Sequence, residues 1–136
     1  MVIEILVKDS IEEGRALLTA LERAGFPMQA AFWKRVPDDG YWRLVIASQA
    51  ARDEGPIEAY TQLGRVWDTL THQDLSFTDI TVLSPTDSRY IRHRMELRYL
   101  RDSDLRDKRI EDGYIYFIHP DQAVQKTENG ASVVKD

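Results

Sequence analysis

Residues 91 to 99 read Ile-Arg-His-Arg-Met-Glu-Leu-Arg-Tyr. Ile91, His93, Met95, Leu97 and Tyr99 fall on one side of a period of two, and Arg92, Arg94, Glu96 and Arg98 on the other. Such alternation predicts a half-buried β-strand with three guanidinium groups on its open face. It stands out because the 136-residue chain carries a net charge of −5. Residues 89 to 109 hold eight Lys/Arg and four Asp/Glu, while the remainder holds ten and nineteen. One basic segment in an acidic chain suits local anion binding, not general attachment to polyanions.

A second extended region surrounds Pro37-Asp38-Asp39-Gly40. Residues 28–36 and 41–48 are rich in aromatic and β-branched types, and the spacing predicts a hairpin. A three-residue loop, Asp38-Asp39-Gly40, suits a type I turn with Gly40 in the left-handed position. That register sets Val36 opposite Trp42, Lys34 opposite Leu44, and Phe32 opposite Ile46. Met28, Ala30, Phe32, Val36, Trp42, Leu44 and Ile46 then form a core face. Ala31, Trp33, Arg35, Tyr41, Arg43, Val45 and Ala47 share the other. The assignment depends on loop length, because a shift of one residue exchanges the faces.

Two helices are signalled. Ser10 with Glu13 reads as a capping box, followed by Ile11, Leu17, Leu18 and Leu21, with Gly25 at C′ and Pro27 beyond. The second opens at Asp53-Glu54-Gly55-Pro56 and buries a stripe of Ile57, Tyr60, Leu63, Val66, Trp67 and Leu70. Gly64 within it would allow close approach to a sheet. Residues 2–7 suit either an extra helical turn or a short strand, with helix preferred. A third strand is expected near Phe77–Leu83. Ser84-Pro85-Thr86-Asp87 makes a turn or a brief helical start before the alternating segment. A last strand spans 110–118, with a bulge suggested where Glu111 and Asp112 meet Gly113.

The order α-β-β-α-β-β-β gives an α+β domain over residues 1–118. Its five-stranded, mainly antiparallel sheet has two helices on one face and leaves the other open. Residues 119–136 read as a polar tail.

The open face would gather Trp33, Arg35, Tyr41, Arg43, Arg92, Arg94 and Arg98, with Arg35 directly opposite Arg43. Like charges in that position require a counterion, and Glu96 and Asp79 are candidates. Three readings stay open. Trp, Tyr and Arg anchor protein interfaces, which points to a non-enzymatic interaction domain binding a protein partner or a second copy of itself. The same mixture suits single-stranded nucleic acid. It also suits a solvated sheet face. A small enzyme using Glu111, Asp112 and His119 is a further alternative, to be judged by whether a cleft lies beside the two acids.

The chain has no cysteine, which excludes thiol chemistry and cysteine-held metals. His72, His93 and His119 lack metal-ligand spacing, so neither metal nor cofactor is expected. His93 reads as a core histidine. No transmembrane run or leader is visible, and a cytoplasmic location is expected.

The stretches GFPMQAAFW, WRLVIAS, DITVLSP and IEDGYIYFI, in that order, resemble a group of small bacterial proteins without assigned function. The resemblance covers most of residues 10–118. It implies a bacterial, cytosolic, single-domain protein and carries no site residue. The Arg density of residues 89 to 109 departs from that group.

Overall fold

The computed structural model describes residues 8–35 and 41–120. The reading of residues 2–7, the turn at Asp38-Asp39-Gly40, the placement of Val36 and nearly all of the polar tail lie outside them. The described residues form an α+β fold whose five-stranded sheet is mostly antiparallel, as the sequence predicts. The elements are α1 (Lys8–Arg23), β1 (Ala30–Arg35), β2 (Trp42–Ala47), α2 (Gln49–Asp53), α3 (Pro56–Trp67), β3 (Ile80–Leu83), α4 (Ser88–Glu96), β4 (Arg106–Ile110) and β5 (Gly113–Ile118). The strand order is β3-β2-β1-β5-β4.

The helix α1 buries Ile11, Leu17, Leu18 and Leu21. It ends as expected: Gly25 has φ +83°, its N–H bonds to Glu22 and that of Phe26 to Leu21. This is a Schellman end, and Leu21 and Phe26 are both buried in the same core. Its start differs. Ser10 lies inside the helix, and Glu13 accepts instead from the backbone N–H groups of Gln73, Asp74 and Leu75. Those bonds hold its carboxyl below the usual range against the opposing cost of burial. One side chain thus ties α1 to the loop before β3.

Gly14 is where α1 comes close to the sheet, since a Cβ there would collide with the Tyr116 hydroxyl. Gly64, the expected contact point, faces open space. In α3 the inward residues are Ala59 and Leu63, with Tyr60, Val66 and Trp67, and Leu70 just beyond the helix, packed at the core's margin. Ile57, expected in the stripe, is 83% exposed.

The hairpin register differs by one residue from the expected one. Ala31 pairs with Ile46, Phe32 with Val45, Trp33 with Leu44, Lys34 with Arg43 and Arg35 with Trp42. Ala31, Trp33, Leu44 and Ile46 therefore face the helices α1 and α3, while Ala30, Phe32, Val45 and Ala47 belong to a second core on the other side. A one-residue slip moves every side chain of one strand to the opposite face.

β3 joins β2 in parallel, because the α2–α3 segment carries the chain back across the sheet. In β5 the register shifts between Ala31 and Phe32 of β1, so that Tyr116 and Phe117 both stand opposite Ala31. This bulge sends Tyr114, Tyr116 and Phe117 to the α1 side and Ile115 and Ile118 to the other. It lies mid-strand, whereas Glu111 and Asp112 form the two-residue turn between β4 and β5.

The largest correction concerns residues 91–99. They are not a strand. Asp87 caps α4 by accepting from the Arg89 N–H, and Tyr90 and Leu97 are buried against the second core. The fifth strand is β4, whose residues are mostly exposed. With α4 laid across it, the second face of the sheet is only partly open.

Candidate functional site

The second face holds a groove of about 860 Å³. Its floor is Val45, Leu83 and Thr81. One wall is α4, through Arg89, Arg92, His93, Glu96 and Leu97. The other is Ile110, Glu111 and Asp112 at the β4–β5 turn. Lys34, Arg35 and Arg43 enter from β1 and β2, and Tyr99 stands at its edge. Local structure explains the placement. Tyr90 stacks on Phe32 with ring centroids 6.5 Å apart, and His93 meets Phe32 edge-on at 5.6 Å. These contacts fix the pitch of α4 over β1, and the distance from Tyr90 and His93 to Arg89 and Arg92 is one helical step. The two arginines therefore line the groove.

Five cationic side chains line this groove, against three carboxylates. Some are already engaged. Asp87 receives Arg89 through backbone and guanidinium, and its carboxyl sits below the usual range because of the Arg89 side chain, then its N–H. Arg43 donates to the Thr78 carbonyl at 2.9 Å. Arg35 lies over the Trp42 ring, 5.6 Å from its centroid. Lys34 approaches Glu96 at 3.6 Å.

Lys34 and Arg43 are direct cross-strand partners on the same face. Two like charges so placed repel unless an anion lies between or above them. The expected like-charge pair was Arg35 with Arg43. The register replaces it with another of the same sign.

His93 is the half-buried member of the wall. Burial pushes its pKa below the usual histidine range. Glu96 acts in the opposite sense, and Lys34 and Arg92 add to the depression. The ring is therefore neutral at neutral pH, and its approach to Glu96 at 3.7 Å is not an ion pair there. Its Nδ1 is buried without a hydrogen-bond partner.

Of the seven residues expected on the sheet face, Arg35, Arg43 and Arg92 line the groove. Trp33 does not. It is buried under α1 with its Nε1 donating to the Tyr116 hydroxyl at 2.9 Å. Tyr41 is exposed at the hairpin. Arg94 and Arg98 lie on the other flank of α4, where Arg94 reaches the Tyr90 hydroxyl at 3.3 Å. Asp79 is spent at the Ser76 backbone N–H. His119 lies in a separate recess with Arg15 and Asp107, away from Glu111 and Asp112. His72 stacks on Trp67.

Sequence reasoning missed Lys34, Arg89 and His93 as neighbours, while Glu96, expected as a counter-charge, does line the groove. The signal was present: Tyr90, His93 and Leu97 recur at helical spacing after an Asp cap. Among the described residues no cluster of three or more metal-ligating side chains occurs, and no helix is long and apolar enough to cross a membrane. No family model, curated protein or solved structure matches the chain.

Proposed function

We propose that this is a ligand-binding domain whose groove takes a small anionic molecule carrying phosphate or carboxylate groups. The observation that carries the reading is the Lys34–Arg43 cross-strand pair, with Arg92, and Arg89 held by Asp87, lining the same concavity. The volume is in the range of small-molecule sites, roughly 300–1,000 Å³. An apolar floor with charged walls suits a ligand with a hydrocarbon or ring portion. Glu96 already lies 3.6 Å from Lys34, and an anionic ligand would add negative charge to a lining in which cations outnumber carboxylates. This keeps the binding role expected from the Arg-rich face and moves it from a flat surface to a concave one. A single-stranded nucleic acid draws less support, because Trp33 offers no stacking surface from inside the core. Self-association through the sheet face also draws less, because α4 lies on that face.

A thermal-shift series with inorganic phosphate, pyrophosphate, citrate and a nucleoside monophosphate tests the proposal. Ligand at about a hundred times its Kd adds about 2.7 kcal/mol of stability. For a domain of this size that raises Tm by roughly 10 °C. Arg92→Glu should weaken binding by at least about tenfold, as expected when a charged hydrogen-bond donor is reversed. If none of the four anions shifts Tm at low salt, the proposal fails.

A second reading, proton transfer on the bound anion, is favoured by one observation. A half-buried His93 lines the same groove as Glu111 and Asp112. A poised imidazole beside bound substrate is the usual general base. Proton NMR of the best-binding anion during prolonged incubation tests it: an unchanged ligand removes this reading and leaves the binding one.

A further inference from the structure

Ile91, Met95 and Tyr99 are large apolar side chains that are 47%, 55% and 66% exposed. They are spaced by four residues. Ile91 and Met95 therefore form one stripe along the outward side of α4. Beside that stripe is a shallow recess of about 320 Å³, bounded by Gln29, Pro85, Ile91 and Met95 with Arg94 and Arg98. Arg94 and Arg98 flank the stripe on one side and Arg92 on the other. The acid of this helix, Glu96, is turned to Lys34 in the groove behind. The outward side is apolar along its centre and cationic along both margins.

We propose that this side of α4 docks an acidic amphipathic peptide segment of a partner protein. Apolar anchors of the segment would cover Ile91 and Met95 and enter the recess, while its carboxylates would meet Arg92, Arg94 and Arg98. Charge decides between this occupant and a second copy. Two copies packed helix to helix would bring Arg94 and Arg98 against their own equivalents, which costs free energy unless anions intervene. An acidic segment turns the same residues into partners and receives bidentate contacts from the guanidinium forks. Arg92 is shared with the groove, but Ile91, Met95, Arg94 and Arg98 do not line it, so the apolar anchors and two of the three cations are separate from that site. α4 is about 14 Å long, so the contact spans roughly two turns of a partner helix. Its affinity belongs in the micromolar class of small, transient interfaces.

The test is fluorescence anisotropy of the full chain with a labelled helical peptide bearing Leu along one face and Glu elsewhere. The control peptide has Lys in place of every Glu. The Glu peptide should bind and the Lys peptide should not. Met95→Asp should weaken the Glu peptide by at least about tenfold, as for a central anchor, with Tm unchanged. Should that variant fail to fold, the double variant Arg94→Glu with Arg98→Glu replaces it and should reverse the preference between the two peptides. Equal binding of both peptides, or binding of neither, overturns the proposal. So does a dimer in sedimentation that Met95→Asp dissociates, because the occupant would then be a second copy.

Discussion

The two faces of the sheet are covered by unlike means. On one, α1 and α3 lay long apolar stripes over Trp33, Leu44, Ile46 and Tyr116, and the core is continuous. On the other, a nine-residue helix and the residue that caps its end contribute Tyr90 and Leu97 to a smaller core around Phe32, Val45 and Ile115. Fuller cover leaves only a smaller recess beside α1, of about 310 Å³. Partial cover leaves the ends of β1 and β2 only half-buried beside α4, and the groove forms there. The lesson is that stability and binding are divided unequally between faces: the larger core lies under α1 and α3, while the groove takes its floor from the smaller core through Val45, Leu83 and Leu97. Loops and thinly covered edges are where function tends to collect on a rigid scaffold.

The largest effect is expected on the fully covered face. Trp33→Ala removes a buried indole and leaves the Tyr116 hydroxyl without its donor, while that hydroxyl still donates to the Ile11 carbonyl. Truncating a buried Trp costs about 3–5 kcal/mol. Urea denaturation should show a loss of that order. A loss below about 1.5 kcal/mol would break the comparison, because it would mean that the α1 face is not the principal source of stability.

Leu97→Ala probes the thinner face. Leu97 is buried, yet it follows the last turn of α4 and lies at the groove's edge. The site can therefore collapse or admit water, which puts the cost at the low end for Leu→Ala, about 2 kcal/mol. A loss matching that of Trp33→Ala would show that the two faces contribute equally. The substitution should also weaken anion binding in the groove, because it loosens the wall that carries Arg92 and His93.

The same division governs what the sequence makes legible. α1, its Gly25 end, the hairpin strands and the last strand are predicted because long apolar stripes and β-branched runs encode them. The α4 segment is misread for a specific reason. Ile91, His93, Met95, Leu97 and Tyr99 satisfy a period of two. On a helix the same set splits into His93 and Leu97 on one side and Ile91, Met95 and Tyr99 on the other. Only burial distinguishes the two, and local pattern does not contain it. The composition leaned towards helix: Arg, Met, Glu and Leu are good helix formers, and Ile91 is the only β-branched residue there. β4 is illegible for the opposite reason. Arg106-Asp107-Lys108-Arg109 has no apolar alternation, because an edge strand guarded by charge needs none. Trp33 was misplaced by the hairpin register, which turned on a single residue in the loop.

The smallest effect concerns His93 and has a definite sign. Its folded-state pKa lies below the ordinary value of 6.5, mainly because burial disfavours the imidazolium. Well above 6.5 the ring is neutral in both folded and unfolded chains, and its contribution to stability is fully present. As pH falls below that value the unfolded chain takes up the proton first. Stability then declines until the pH passes the folded-state pKa. Glu96 faces the ring from α4 and opposes the shift, whereas Lys34 from β1 and Arg92 from α4 favour it, so the decline is modest. Denaturation of the parent and His93→Gln between about pH 7 and about pH 5 isolates it. The parent should lose more stability than the variant across that window. Carboxylates such as Asp87 and Glu13 titrate in both proteins and cancel in the difference. A parent that instead gains stability relative to the variant as pH falls would place a charged His93 in ion pair with Glu96. An anion seated near Lys34 and Arg92 should offset those cations and raise the His93 pKa. Bound ligand should therefore flatten the same curve, which gives the site a readout on the thinly covered face alone.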